Sequence, residues 1–381
     1  MAMWALLLLG IPIYVFSSGL PQPADMGLAL FLGIAALTCQ RYVLSDERRV
    51  AVLLVQYVVW VAVVNLTWSL LVGYEPMFFF STAFAIFNAV VLIGFLAFGS
   101  RSPAQVLRVT GRATAIALMA LGVLAVLRPG MTNGTRLVLF FNNPNQLAYY
   151  ALGALTVVML AHRGNPLSRV LLFGAIAAAG FLIFRTYSRA ALGAYAVLCA
   201  VPFVRRPVYI LLACLPLLVI AVQSEEAISS DPLWQRRVSE AGSQEFGDYM
   251  EDRGVDRLVR NPEYLLFGAG EGKYLRFHPL GLELHSSLAS ILFCYGLIGL
   301  ILIGRVAIAI ARRVPVDVAM YLLPSVIYSL FHNGMRFRIF WLSISVAALL
   351  PRVLASPREQ TESEPPLPAA EPSASSPIRC V

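Results

Sequence analysis

The chain has 381 residues, 59% of them hydrophobic and only 13% charged, with a mean hydropathy of +0.74. Soluble domains run at roughly 45–50% apolar and about 25% charged residues, so a soluble globular protein is excluded. The formal net charge of +8 comes almost entirely from arginine beside a single lysine, Lys273. These cations fall in short loops between apolar runs, which excludes the soluble basic face of a nucleic-acid binder.

In chain order, apolar runs approaching the ~20 residues that cross a bilayer predict about twelve spans. They lie near 3–20, 26–40, 50–72, 77–99, 113–127, 147–161, 170–184, 190–204, 208–222, 286–304, 316–331 and 339–351. No short alternating segments recur, which argues against a β-barrel. The expectation is an all-α polytopic membrane protein. The first run lacks a basic leader and a small-residue cleavage site, so it is predicted as a membrane helix rather than a signal peptide. Cys39, Cys199, Cys214 and Cys294 lie in apolar segments and Cys380 near the end, so neither a disulfide nor a zinc site is expected.

Basic loops occur at 41–49, 100–112, 162–169, 205–207 and around Arg305, Arg312 and Arg313. These are alternate loops, and the positive-inside rule places them and both termini in the cytoplasm. The predicted organisation is nine spans over 1–222, a large outward loop with short helices over 223–284, and three spans over 285–351. A Pro/Ser/Glu-rich tail, 352–381, is predicted to be disordered.

Some arginines break the rule. Arg128 and Arg136, Arg185 and Arg189, a cluster within 236–276, and Arg336 with Arg338 all fall on the outward side. Acidic pairing or headgroup contact would account for any one of them. Together they predict a cationic cavity at the outer surface, suited to a phosphate-bearing ligand. In the outer loop, Arg253, Arg257 and Arg260 fall at i, i+4 and i+7, on one face of a predicted short helix. That stripe fits either lipid headgroups or a diphosphate. The glycine-rich run GAGEG, 268–272, supplies backbone that can approach a ligand closely.

Four outward stretches carry polar groups at one predicted depth: 135–150 with Asn142, Asn143, Asn145 and Gln146; 184–195 with Arg185, Ser188 and Arg189; the loop ending in Glu283 and His285; and 331–341 with His332, Asn333 and Arg336. On these residues the chain resembles the O-antigen ligase/polymerase superfamily of bacterial inner-membrane glycosyltransferases. That family carries His, then Asn, Ser or Gln, nine residues, Gly, two residues, and a small or aromatic residue. Here His285-Ser286, nine residues, Gly296, Leu297-Ile298 and Gly299 fit without a gap. Its Pro-Asn element is similar to Asn143-Pro144-Asn145, and its Ser-Arg-Ala/Gly element to Ser188-Arg189-Ala190. The family's aromatic residue after the loop arginine has no counterpart here, which leaves the choice among Arg253, Arg257 and Arg260 open.

The resemblance implies transfer of a glycan from an undecaprenyl-diphosphate carrier to a sugar hydroxyl on the periplasmic side of the inner membrane. His285 would be the base or the group that orients the acceptor hydroxyl, and Arg189 with Arg253 or Arg257 would clamp the diphosphate. Arg136, Asn143, Asn145, Arg185, Ser188, Arg260, Glu271, Ser286, Asn333 and Arg336 would bind substrate, with no cofactor or metal. Direct attack would invert the anomeric centre. The acceptor would be another lipid-linked repeat unit, making the protein a polymerase with a chain-length regulator as candidate partner. A ligase acting on lipid A core is the rival. A lipid-glycan flippase or other transporter is a third reading from another class, but transporters keep ionisable groups near the midplane. The mid-span polar residues here are chiefly Gln56, Asn65 and Thr67. His278 and His332 are expected to be structural.

Overall fold

The computed structural model describes residues 1–16, 21–203, 250–251, 253–279 and 281–355. The predicted span at 208–222, the first part of the outer loop (223–249) and the tail beyond 355 lie outside them. Among the described residues the fold is all-α, apart from a hairpin pairing Thr132–Asn133 with Arg136–Leu137 around Gly134. The helices are α1 (Ala2–Gly10), α2 (Pro23–Thr38), α3 (Ser45–Val72), α4 (Pro76–Arg101), α5 (Pro103–Leu127), α6 (Pro144–Gly164), α7 (Arg169–Arg185), α8 (Arg189–Ala200), α9 (Ser287–Ala311), α10 (Leu323–Phe331) and α11 (Arg338–Ala355). Five of the described helices, α3, α4, α5, α9 and α11, are long and apolar enough to cross a membrane.

Several boundaries differ from those predicted. Helix α1 stops at Gly10, just ahead of Pro12. The basic loop 100–112 is almost wholly helical: α4 ends at Arg101, Ser102 turns the chain, and Pro103 starts α5 with a φ already suited to a helix. Arg108 and Arg112 lie exposed on α5, where long side chains can reach water. The run 316–331 divides into a turn, Val316–Ala319, and the nine-residue α10, with Pro324 in the first turn of the second piece.

Helix α6 is the centre. Its side chains are buried from Gln146 to Ala161, as expected for a helix apolar all round, and α5, α7, α8, α10 and α11 pack about it. At one end of the molecule Glu47 is fully buried and receives Arg313 (3.1 Å), Arg352 Nε (2.9 Å) and the Ser100 hydroxyl (3.3 Å). That knot joins the start of α3 to the ends of α4, α9 and α11. The opposite end holds the starts of α4, α6, α9 and α11, and there the cavity lies.

Helix α9 is broken at Gly296, whose φ of 69° and ψ of −175° no helix contains. The break frees three carbonyls, and each finds a donor: Phe293 from Ala269 N (2.9 Å), Cys294 from Gly270 N (2.9 Å), and Tyr295 from Trp60 Nε1 (2.8 Å). Leu297 N in turn donates to Leu265 O at 2.7 Å. The loop 265–270 thus lies against the broken helix as an extra backbone layer that meets the carbonyls freed at the break.

Candidate active site

The N-terminus of α6 forms one wall. Asn143 caps the helix, accepting from Gln146 N at 2.9 Å, with Pro144 as the first helical residue. Asn145 then presents its amide oxygen to Arg136 Nη2 at 2.9 Å, while Arg136 Nε reaches Thr186 O at 2.7 Å. Tyr328 on α10 donates to Asn145 O at 3.2 Å and is also hydrogen-bonded to Ser188 at the start of α8. The Tyr328 ring stacks between Tyr149 (4.8 Å) and His332 (4.5 Å).

The N-terminus of α9 forms the facing wall. Ser286 is the buried N-cap, accepting from Ala289 N at 3.4 Å. Ser287 joins this helix to the α10–α11 turn, donating to His332 O (3.2 Å) and accepting from Met335 N (3.1 Å). Asn333 Nδ2 donates to Leu284 O at 3.0 Å. His285 is thereby held by its backbone, whose N–H donates to Arg253 O at 3.0 Å.

Between the walls is a cavity of about 650 Å³ whose lining includes Asn143, Asn145, Glu283, His285, Asn333 and Arg336. Its apolar side comes from α4, where Met77, Phe80, Phe84 and Phe87 share one face. Although part of the His285 surface is open, burial holds its pKa below the usual 6.5; Arg253 lowers it further and Glu283 opposes. The ring is therefore neutral at pH 7, and no side-chain hydrogen bond occupies it among the described residues. His332 is pushed down to about 3, by burial first and then by Arg253, His285 and Arg136.

The three loop arginines do not share a face. Gly254, at φ 64°, turns the chain, and only Arg257–Arg260 is helical. Arg253 is half-buried and donates to Phe331 O beside His332. Arg257 is 1% exposed, donates to Leu282 O, and leaves two buried guanidinium nitrogens without a hydrogen bond. Burial lowers its pKa, with Asp256 opposing. Arg260 is exposed and pairs with Asp256 (3.1 Å) and Glu251 (3.4 Å).

Arg336 is shared by two carboxylates, Glu271 and Glu283, the latter at 2.6 Å. Burial works against its charge, but the two acids hold its pKa well above the ordinary value. Glu271 is buried behind the cavity, with Tyr295 donating to its carboxylate. The GAGEG run lies against α9, Trp68 and Phe78. Arg185, over the Phe181 ring at 6.0 Å, and the exposed Arg189 and Arg260 are not among the lining residues, and neither are Arg136, Ser188, Arg253, Arg257, Glu271 and Ser286.

Sequence reasoning passed over Asp25 and Gln22, which also line the cavity. Asp25 is buried and ion-paired with Arg338, whose guanidinium also donates to Ile11 O (2.6 Å) and lies over the Tyr14 ring (5.2 Å). The signal was present: Asp25 is the sole acid in the first 45 residues, and an unpaired acid there would be costly to bury.

No protein-family model matches the chain, and no curated protein matches it in sequence.

Proposed function

We propose that the protein is an integral-membrane glycosyltransferase that moves a glycan from undecaprenyl diphosphate to a sugar hydroxyl, most simply extending a polysaccharide by repeat units on the periplasmic face of the bacterial inner membrane. One observation carries the reading. Residues from stretches of the chain more than a hundred positions apart, with His285 neutral among them, line a single cavity at the end of the bundle opposite the Glu47 knot. The chemistry follows from that set. Imidazole takes the proton of the acceptor hydroxyl as its oxygen bonds to the anomeric carbon. The bond from that carbon to the diphosphate breaks, the lipid diphosphate keeps the electron pair, and configuration inverts. Arginine stabilises the growing phosphate charge because guanidinium stays ionised and forks onto phosphate oxygens. Arg253 is the loop arginine best placed for this, since its electrostatic influence reaches both His285 and His332. Arg136, bonded to Asn145 of the lining, is the supporting cation, and Arg189, exposed outside the lining, is carried by the resemblance alone.

The test is purified protein given lipid-linked oligosaccharide with no second acceptor. A ladder of longer glycans is expected, lost in His285→Ala and reduced in Arg189→Ala. Transfer only when lipid A core is added would identify a ligase instead. Full activity in His285→Ala would remove the proposed base.

A further inference from the structure

Two histidines on different elements line the cavity. His285 stands just before α9, and His332 follows the last turn of α10. Position in the sequence predicts a structural role for His332, and its backbone is indeed tied down. Its N–H donates to Tyr328 O at 3.0 Å, and its carbonyl accepts from Gly334 N at 2.8 Å and from the Ser287 hydroxyl at 3.2 Å. Gly334 lets that turn close, because a Cβ there would strike Ser329 Oγ and the Tyr149 hydroxyl. One face of the ring lies on Tyr328, with 4.5 Å between centroids and 24° between planes. Tyr328 is itself fixed by Tyr149 behind it and by its bond to Asn145 O. Yet neither ring nitrogen of His332 has a hydrogen bond among the described residues. Backbone and ring face are held, while the two groups that could meet a ligand stand unspent in the cavity.

The chemistry of the ring narrows that ligand. Burial, and then Arg253, His285 and Arg136, disfavour a proton on it, so it is neutral at pH 7. Neutral imidazole offers one N–H donor and one bare nitrogen that accepts. An ionised diphosphate only accepts hydrogen bonds, so it would leave the bare nitrogen unmet, which is costly in a desolvated site. A sugar hydroxyl meets it, since a hydroxyl donates as well as accepts. We infer that His332 is a second substrate-binding histidine, whose ring nitrogen accepts a hydrogen bond from a hydroxyl of the acceptor sugar while His285 takes the proton of the reacting one. This rests on the transferase reading and adds a contact where the resemblance assigns only Asn333 and Arg336. The two rings do not compete for the proton. A charge on His285 further disfavours one on His332, so the second ring keeps its acceptor nitrogen throughout the transfer.

Purified full-length protein is dialysed to equilibrium against the repeat-unit oligosaccharide, freed from the host's lipid-linked pool by mild acid, and separately against inorganic pyrophosphate. His332→Phe keeps a ring on Tyr328 and removes both nitrogens. It is expected to hold its melting temperature and to bind pyrophosphate as the wild type does. Its oligosaccharide affinity should fall about tenfold, the loss of one desolvated hydrogen bond. His332→Gln, which returns an amide oxygen as acceptor, should recover most of that affinity. One measurement needs no variant to fold. In wild-type protein, oligosaccharide should slow carbethoxylation of His332 by diethyl pyrocarbonate, followed by peptide mass spectrometry, and pyrophosphate should not. Unchanged oligosaccharide affinity in His332→Phe, a loss of pyrophosphate binding in its place, wild-type protein that binds no oligosaccharide, or no protection of His332 would each overturn the assignment. Wild-type protein that binds oligosaccharide through His332 but transfers nothing would overturn the reaction and leave the contact standing.

Discussion

His285 and Arg253 are coupled through space and through the backbone, and that coupling has a measurable sign. A base works in its neutral form, whose fraction grows as pH rises through the group's pKa. The His285 pKa is held below 6.5 by burial and by Arg253, so the acid limb of the rate–pH profile is expected below pH 6.5, with a plateau above it. Arg253→Gln removes one of the lowering charges, and the limb should move toward higher pH as the rate falls by about 10²–10³, the usual effect of losing a transition-state donor. A limb that stays in place would separate the two residues. Arg257 gives the contrasting case. It is buried, packs its guanidinium beneath Gly254 and leaves two nitrogens unmet. Replacing such a buried charge by an apolar chain of similar length is often neutral or stabilising. Arg257→Met should therefore keep its melting temperature or raise it, and retain most transfer activity. A collapse of turnover with folding intact would return Arg257 to the site.

At the scale of elements, the glycine that ends the nine-residue spacer after His285 has a structural reason. Gly296 and Gly268 both hold positive φ, and a Cβ on either would strike the other segment's backbone. Gly296→Ala and Gly268→Ala are each expected to cost more than the ~1–3 kcal/mol of backbone strain alone. The double variant should cost less than the sum, because both break one contact. Thermal melts in detergent measure this; strict additivity would mean that the two glycines act independently. The helices themselves were legible as apolar runs, except that the start of α5 at Pro103 was hidden by the arginines of 100–112, which read as a loop. The break in α9 was not legible. It is decided by donors in the loop at Ala269 and Gly270 and on α3 at Trp60, which no local periodicity carries. The same holds for the arginine stripe: spacing put Arg253, Arg257 and Arg260 on one face, and Gly254, visible between them, turned the chain. Of the site, His285, Asn143 and Asn333 could be read from position. The partners of Arg336 and Arg338 could not, because Glu271 and Asp25 meet them only in three dimensions.

At the scale of the whole molecule, most exposed arginines among the described residues lie at the Glu47 end, although Arg128, Arg189 and Arg260 are exposed elsewhere. At the Glu47 end the arginines at 41, 48, 49, 101 and 312 are exposed. At the cavity end Arg336 and Arg338 are paired with Glu271, Glu283 and Asp25. The positive-inside preference acts on cations that remain exposed near the membrane, so the Glu47 end is the one it draws to the cytoplasm. Helix direction agrees at both ends of the chain. Trp4 of α1 donates to Thr110 near the start of α5 (2.9 Å), while Ile11 reaches Arg338 at the cavity end. Helix α11 runs from Arg338 at the cavity to Arg352 in the Glu47 knot. The cavity is then expected to open to the periplasm, where a lipid-linked glycan would reach it without crossing the bilayer again. Single cysteines in a background stripped of native thiols measure this in intact cells. Thr135→Cys, on the exposed hairpin beside the cavity, should react with a membrane-impermeant maleimide before lysis, and Arg49→Cys only after it. The opposite pattern would put the cavity on the cytoplasmic face, where the sugar acceptors and the direction of the proposed transfer would both have to change.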